Sequence, residues 1–272
     1  MTTPPPTTDA DSCAASGEDP HDHSDHVHPR TGAEVVQGLL RGLSIVSLVI
    51  PVLAVVMLLA VLAAQPRSPL VLLMGIALGA LQLVALVVTS SFATRARQSL
   101  AHNPGLVAAR SAIEEVLRLA VVLGCLVMWS GDARGPIGLW VGAGAGLVWA
   151  ALATAQTVAA RRRIGRPSDW SKDAVVSILG SNVGIGRAMV MRVLDVVGVL
   201  AFQLGASLLI AVAPVMVVAT LVLSVATGLS TLMQQRRPPA ERLHSPWGFA
   251  PFVIGLLLLA MAIAMPLLAI TA

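Results

Sequence analysis

Tyrosine is absent from the 272 residues, lysine occurs once, at Lys172, and cysteine occurs twice. Cys13 and Cys125 are too few and too far apart to build a disulfide framework or a cysteine zinc site. Charge is scarce as well. Asp, Glu, Lys and Arg make up 12% of the chain, roughly half of the ~25% that a water-soluble domain carries. Aromatic residues are 3%. A chain so poor in charge cannot coat a globule with polar groups. These shortages exclude a water-soluble enzyme, a DNA-binding domain and an intrinsically disordered protein as readings of the whole chain. What fills the space is apolar: 56% of residues, with a mean hydropathy of +0.82.

The net charge of +4 is unevenly placed. Residues 1–30 hold six acids and one base, a balance of −5, so the remainder carries +9. The bases of that remainder sit between apolar runs, where they orient membrane helices. A pI near 10.4 therefore does not imply a nucleic-acid partner. Arginine outnumbers lysine 17 to 1, which suggests a bacterium with a GC-rich genome.

A hydrocarbon layer about 30 Å thick needs about 20 apolar residues in a helix. That ruler predicts an all-α, polytopic transmembrane helix bundle with spans near 44–64, 69–91, 112–130, 136–159, 191–212, 214–233 and 249–271. The third is the weakest. Only Leu119 to Ser130 is free of charge, so Glu114, Glu115 and Arg118 are expected to reach the headgroups. The fifth and sixth are one apolar run, divided at Pro214 because a single helix of that length would overshoot the bilayer. Proline inside spans one and seven (Pro51 and Pro266) predicts kinks stabilised by neighbouring helices.

Residues 1–30, rich in Pro, Thr, Ser and acids, read as a disordered tail. They lack the basic and apolar regions of a signal peptide. Thr31-Gly-Ala-Glu34 has a capping-box pattern, followed by Val35, Val36, Leu39, Leu40 and Leu43 on one helical face, which reads as an interfacial helix or as the first turns of span one. Arginines set the expected direction. One set of loops carries Arg95, Arg97, Arg110, Arg161, Arg162, Arg163, Arg166, Lys172, Arg236, Arg237 and Arg242, whereas the other carries only Arg67 and Arg134. The positive-inside rule puts the first set and the amino terminus in the cytoplasm and the carboxyl terminus outside. Trp129 and Trp140 then flank an outer turn, and Trp170 and Trp247 lie at inner edges. Only Trp149 falls near mid-membrane.

Gly138, Gly142, Gly146, Ala150 and Thr154 form a small-residue stripe in span four, and Gly75 and Gly79 repeat the idea in span two. Such stripes let backbones approach where no hydrophobic effect drives helices together. They serve internal packing or, alternatively, a self-association face or a narrow pathway. Arg41, Arg118 and Arg192 each lead a span running outward, a rhythm that three hairpins plus one helix would produce.

The candidate functional residues are few. Asp195 lies just inside span five with Arg192 three residues earlier, an arrangement read as a semi-buried ion pair; Arg118 is an alternative partner. Glu114-Glu115-Val-Leu-Arg118 is one residue short of the Glu-Glu-x-x-x-Arg signature of CAAX-type intramembrane proteases. Spans four to seven hold none of the histidines that family needs, so no kinship is drawn. The two acids are instead expected at a helix amino terminus, with Arg118 snorkelling. The glycine-rich run Gly180 to Arg187 opens span five without the strand that nucleotide-binding loops require. Arg187 remains a candidate for contact with phosphate or lipid headgroups. His21, His23, His26 and His28 are a dense but tail-borne metal-ligand cluster, for which no resident metal or cofactor is assigned. Gln82, Gln156 and Gln203 suit interhelical hydrogen bonds. No catalytic grouping occurs in the apolar part, so an enzyme is not expected.

The sequence therefore predicts a multi-pass protein of a bacterial cytoplasmic membrane that is permease-like with an unspecified substrate. The alternative is a non-transporting subunit that scaffolds or regulates a partner complex. Expected partners are the bilayer, anionic lipids near the arginine clusters, and a membrane protein or second copy of the chain.

Overall fold

The computed structural model describes residues 32–64, 68–95, 103–165, 184–237, 241 and 245–271. The acidic, histidine-containing tail, Trp170 and the glycine run before Gly184 lie outside the described residues. Among those described there are seven long helices and no strand. They are α1 (Gly32–Leu62), α2 (Leu70–Arg95), α3 (Pro104–Met128), α4 (Arg134–Ile164), α5 (Ile185–Val212), α6 (Val217–Arg236) and α7 (Ala250–Thr271).

The chain is an all-α helical bundle, and its surface is apolar where a water-soluble bundle would be polar. Ile45, Leu48, Val52, Val55 and Leu59 on α1 are more than half exposed, as are Leu73, Val84, Val87 and Phe92 on α2. The inside holds polar groups instead, among them Gln82, Glu115, Arg118, Gln203, Ser207 and Thr220. This inversion fits an integral membrane protein, in which lipid takes the outer faces and polar groups must find partners within the protein. Five helices are long and apolar enough to cross a membrane: α1, α2, α4, α5, and α6 with its preceding turn. A shorter apolar stretch, Ala250–Met265, lies in α7. α3 is not among the five, because Arg110, Glu114, Glu115 and Arg118 interrupt it.

Several boundaries differ from the expected spans. α1 is one continuous helix of 31 residues through Pro51, about 46 Å at 1.5 Å per residue. Its first turns thus extend span one rather than forming a separate interfacial helix. α3 starts at Pro104, eight residues before the expected start, because Asn103 caps it: its Oδ1 accepts from the amides of Gly105 at 3.0 Å and Leu106 at 3.3 Å. The expected division at Pro214 is a 3-10 turn, Pro214–Met216, between α5 and α6.

α4 and α5 form the centre. α4 packs against α1, α2 and α5, and α5 against α4 and α7. Glycine permits these approaches. A Cβ on Gly138 would lie 2.7 Å from Ala211 Cβ, and one on Gly142 would lie 2.6 Å from Gln203 O, both across the α4–α5 contact. Gly144 faces the Leu72 carbonyl and Gly75 the Val141 carbonyl across the α2–α4 contact, where Gly79 also meets Val148. Gly146 faces Met57 and Leu200. On the far side of α5, Gly198 sits backbone to backbone against Gly255 and Phe252 of α7. The stripe of α4 is thus occupied by the bundle's own helices.

Neighbouring contacts also fix the threading. Val35 and Leu39 near the start of α1 cluster with Ile164 at the end of α4 and Ile185 at the start of α5. Gly248 before α7 meets Met191 of α5 and Gln234 of α6. Val107 of α3 meets Gly228 of α6. The arginines at 161–163, 187 and 236–237 therefore share one end of the bundle. Trp140 marks the other end, donating from Nε1 to the Ala64 carbonyl beyond α1.

Candidate functional site

α3 supplies the site's charge. Ser111, Glu115, Arg118, Val122 and Cys125 are its buried residues, and their spacing of four, three, four and three places them on one helical face. Val116 and Val127, 64% and 78% exposed, occupy the opposite face. The helix is thus amphipathic with its polar side turned inward.

Arg118 and Glu115 are each 1% exposed. Arg118 Nη2 lies 3.4 Å from Glu115 Oε1. The other carboxylate oxygen accepts from the Thr220 hydroxyl of α6 at 2.8 Å. The guanidinium carbon sits 5.3 Å from the centroid of the Phe202 ring on α5, within reach of a cation–π attraction. Arg118 Nε and Nη1 are buried with no protein hydrogen-bond partner. One turn and two turns toward the start of α3, Glu114 and Arg110 form a second, less buried pair, Nε to Oε1 2.6 Å.

A polar cluster borders this ion pair. Trp149 Nε1 on α4 donates to Gln82 Oε1 on α2 at 3.0 Å, and Gln203 Nε2 on α5 donates to the same oxygen at 3.2 Å. Two of the three glutamines are thereby joined across helices. The third, Gln156, accepts from Arg192 at 3.1 Å.

Between α3, α5 and α6 lies a cavity of about 420 Å³. Arg118, Phe202, Gln203 and Trp149 line its deep part, and Arg110, Glu114, Thr231 and Gln235 line it nearer the end of the bundle that carries the arginines. Arg110 is one-third exposed and Gln235 is exposed, so the cavity opens there. Its size falls within the ~300–1,000 Å³ of sites that hold small molecules.

No family model, curated protein or solved structure matches the chain. The site is therefore read from its own geometry.

The expected site residues separate. Arg118 is in the cavity wall, buried and paired, which corrects the reading of a snorkelling side chain. Glu114 and Glu115 lie about three turns into α3, so they are not at a helix amino terminus. Asp195 is exposed on α5, and Arg192 turns to Gln156 on α4; neither lines the cavity. Arg192 thus bonds Gln156 while its charge still acts on the Asp195 carboxylate one turn away, and the two stand on α5 apart from the cavity. Arg187 is exposed in the first turn of α5. Arg41, exposed, is not equivalent to buried Arg118, so the three leading arginines do not occupy matching environments.

Thr220, Phe202 and Trp149 were not singled out as site residues by sequence reasoning, and Glu115 was read only as an acid at a helix amino terminus. For Glu115 the signal was available. Positions 111, 115, 118, 122 and 125 share a face, and polar residues at three of these in an apolar helix mark an inward stripe. Thr220 and Phe202 carry no such pattern.

Proposed function

We propose that the chain is a permease-like membrane protein that admits a small solute into the cavity between α3, α5 and α6. One observation carries the reading: a solute-sized cavity with buried ionisable and amide groups runs into an otherwise apolar bundle. Charged residues among membrane helices are costly, and they mark solute or ion pathways. The positive-inside rule directs the open end, which shares its side of the bundle with Arg161, Arg162 and Arg163, toward the cytoplasm. The short loops and small polar mass support transport more than an extramembrane activity.

The test is flux. Full-length protein in liposomes is screened with solutes on a solid-supported membrane. The expected result is a protein-dependent signal for at least one solute, abolished by Thr231→Trp, which fills the cavity. Signals that persist unchanged in Thr231→Trp would remove the cavity from the pathway.

A second reading is favoured by Asp195. A carboxylate exposed on an apolar helix suits a contact with another membrane subunit, making the chain a scaffold. Affinity purification in mild detergent then recovers a stoichiometric partner that Asp195→Leu releases. Recovery of the chain alone argues against it.

A further inference from the structure

We infer that the cavity selects an anion, and that Arg118 binds the anionic group of a small amphipathic solute such as a carboxylate. The inference rests on the permease-like reading and names its substrate class.

Charge is the first argument. The cavity wall includes two arginines, Arg110 and Arg118, and one carboxylate, Glu114. Glu115 is not part of the wall: it lies behind Arg118, with one oxygen toward Nη2 and the other held by Thr220. Among the described residues, a solute in the cavity therefore meets a lining of formal charge +1, with the Glu115 carboxylate one side chain further back. Glu114 is already engaged by Arg110 at 2.6 Å, which leaves Arg118 as the cation facing the deep part.

Unused donors are the second argument. A guanidinium offers five N–H groups in a fixed plane. Those on Nε and Nη1 of Arg118 have no protein acceptor, although the side chain is 1% exposed. Buried charged donors are expensive to leave unpaired. An incoming carboxylate or phosphate oxygen satisfies them through charge-assisted hydrogen bonds, which are short and strong. The remaining wall defines the rest of the solute. Val107, Val199, Phe202 and Leu232 supply apolar surface, whereas Gln203 Oε1, itself without a partner, accepts from a hydroxyl or amine. The bound molecule is thus an anionic head on a compact apolar body. The same chemistry belongs to a soluble carboxylate and to a lipid headgroup with its first methylenes.

The experiment uses the full chain in phosphatidylcholine nanodiscs and isothermal titration calorimetry with benzoate and its neutral analogue benzamide. Benzoate is expected to bind at least tenfold more tightly than benzamide. Arg118→Gln alone strands Glu115 and threatens the fold, so the paired variant Glu115→Gln/Arg118→Gln is measured beside it. It should unfold at a temperature close to that of the parent and lose the tenfold preference. A preference that survives in the paired variant, or equal affinities in the parent, overturns the inference. Benzamide binding that Thr231→Trp abolishes, without any preference for benzoate, leaves the solute cavity standing and defeats only the anion. Binding of neither probe defeats both. Repeating the titration with one-third phosphatidylglycerol separates the sources. Weakened benzoate binding identifies a lipid headgroup as the competing anion, and unchanged binding identifies a soluble carboxylate; either supports the site at Arg118.

Discussion

Arg118 is the residue on which the interior is organised. Its guanidinium rests against Glu115 through Nη2 and against the Phe202 ring, with Nε and Nη1 left over, and Glu115 is in turn held by Thr220. Removing one member of a buried ion pair costs more than removing both, because it strands a charge. Arg118→Gln is therefore expected to destabilise the protein by about 3 kcal/mol, read as a lowered thermal unfolding temperature in detergent. Glu115→Gln/Arg118→Gln should recover most of that loss; a double variant as unstable as the single one would contradict the pairing. Trp149 offers a smaller test. Its indole N–H reaches Gln82, so Trp149→Phe should cost about 1 kcal/mol for the lost hydrogen bond, measured in the same assay. Trp149 also shows what the sequence could and could not say. Its mid-membrane position, against the interfacial preference of the other tryptophans, was visible in the chain. Its partner on α2, 67 residues away, was not, because nothing local encodes a contact between helices.

At the scale of the element, hydropathy located the helices and periodicity located their faces, within limits. Each of the seven spans corresponds to one long helix, but the ends differ by a few residues, and hydropathy alone placed the start of α3 eight residues late. Charge on that helix resembled an interface, whereas Asn103 and Pro104 carry the cap that starts it. The glycines of α2 and α4 were legible as small residues. Which helix each one faces depends on packing: Gly138 and Gly142 meet α5, and Gly75 meets α4. Gly198, Gly205 and Gly255 on α5 and α7 make equally close approaches but form no evident stripe. Bulk at these contacts should be penalised. Gly142→Leu would drive its side chain into the α5 backbone and is expected to destabilise by at least 2 kcal/mol, in the upper part of the usual overpacking range. Gly124 is the control, because a Cβ there meets nothing within 4 Å. Gly124→Ala should be neutral or stabilising by up to ~1 kcal/mol through helix propensity. If both substitutions behave alike in thermal unfolding, close glycine packing does not set the spacing of α4 and α5.

The described bundle is a protein turned outside in, with valine and leucine on its surface and an ion pair buried inside. α3 is the decisive element, since it carries four charged residues and still contributes a face of exposed valine. The account requires lipid on that face, as on the faces of α1, α2 and α6. Fusing alkaline phosphatase after Arg163 should give an inactive reporter and fusing it after Gly131 an active one, as the arginine distribution demands. The most direct measurement is the environment of the outer surface itself. In a chain with Cys13 and Cys125 replaced by alanine, spin labels at Val56, Val84, Val116 and Val222 in liposomes should relax readily with oxygen and poorly with a water-soluble nickel complex. Nickel access at Val56, Val84 and Val222 would contradict membrane insertion of the bundle; nickel access at Val116 alone would remove α3, and with it the cavity, from the membrane.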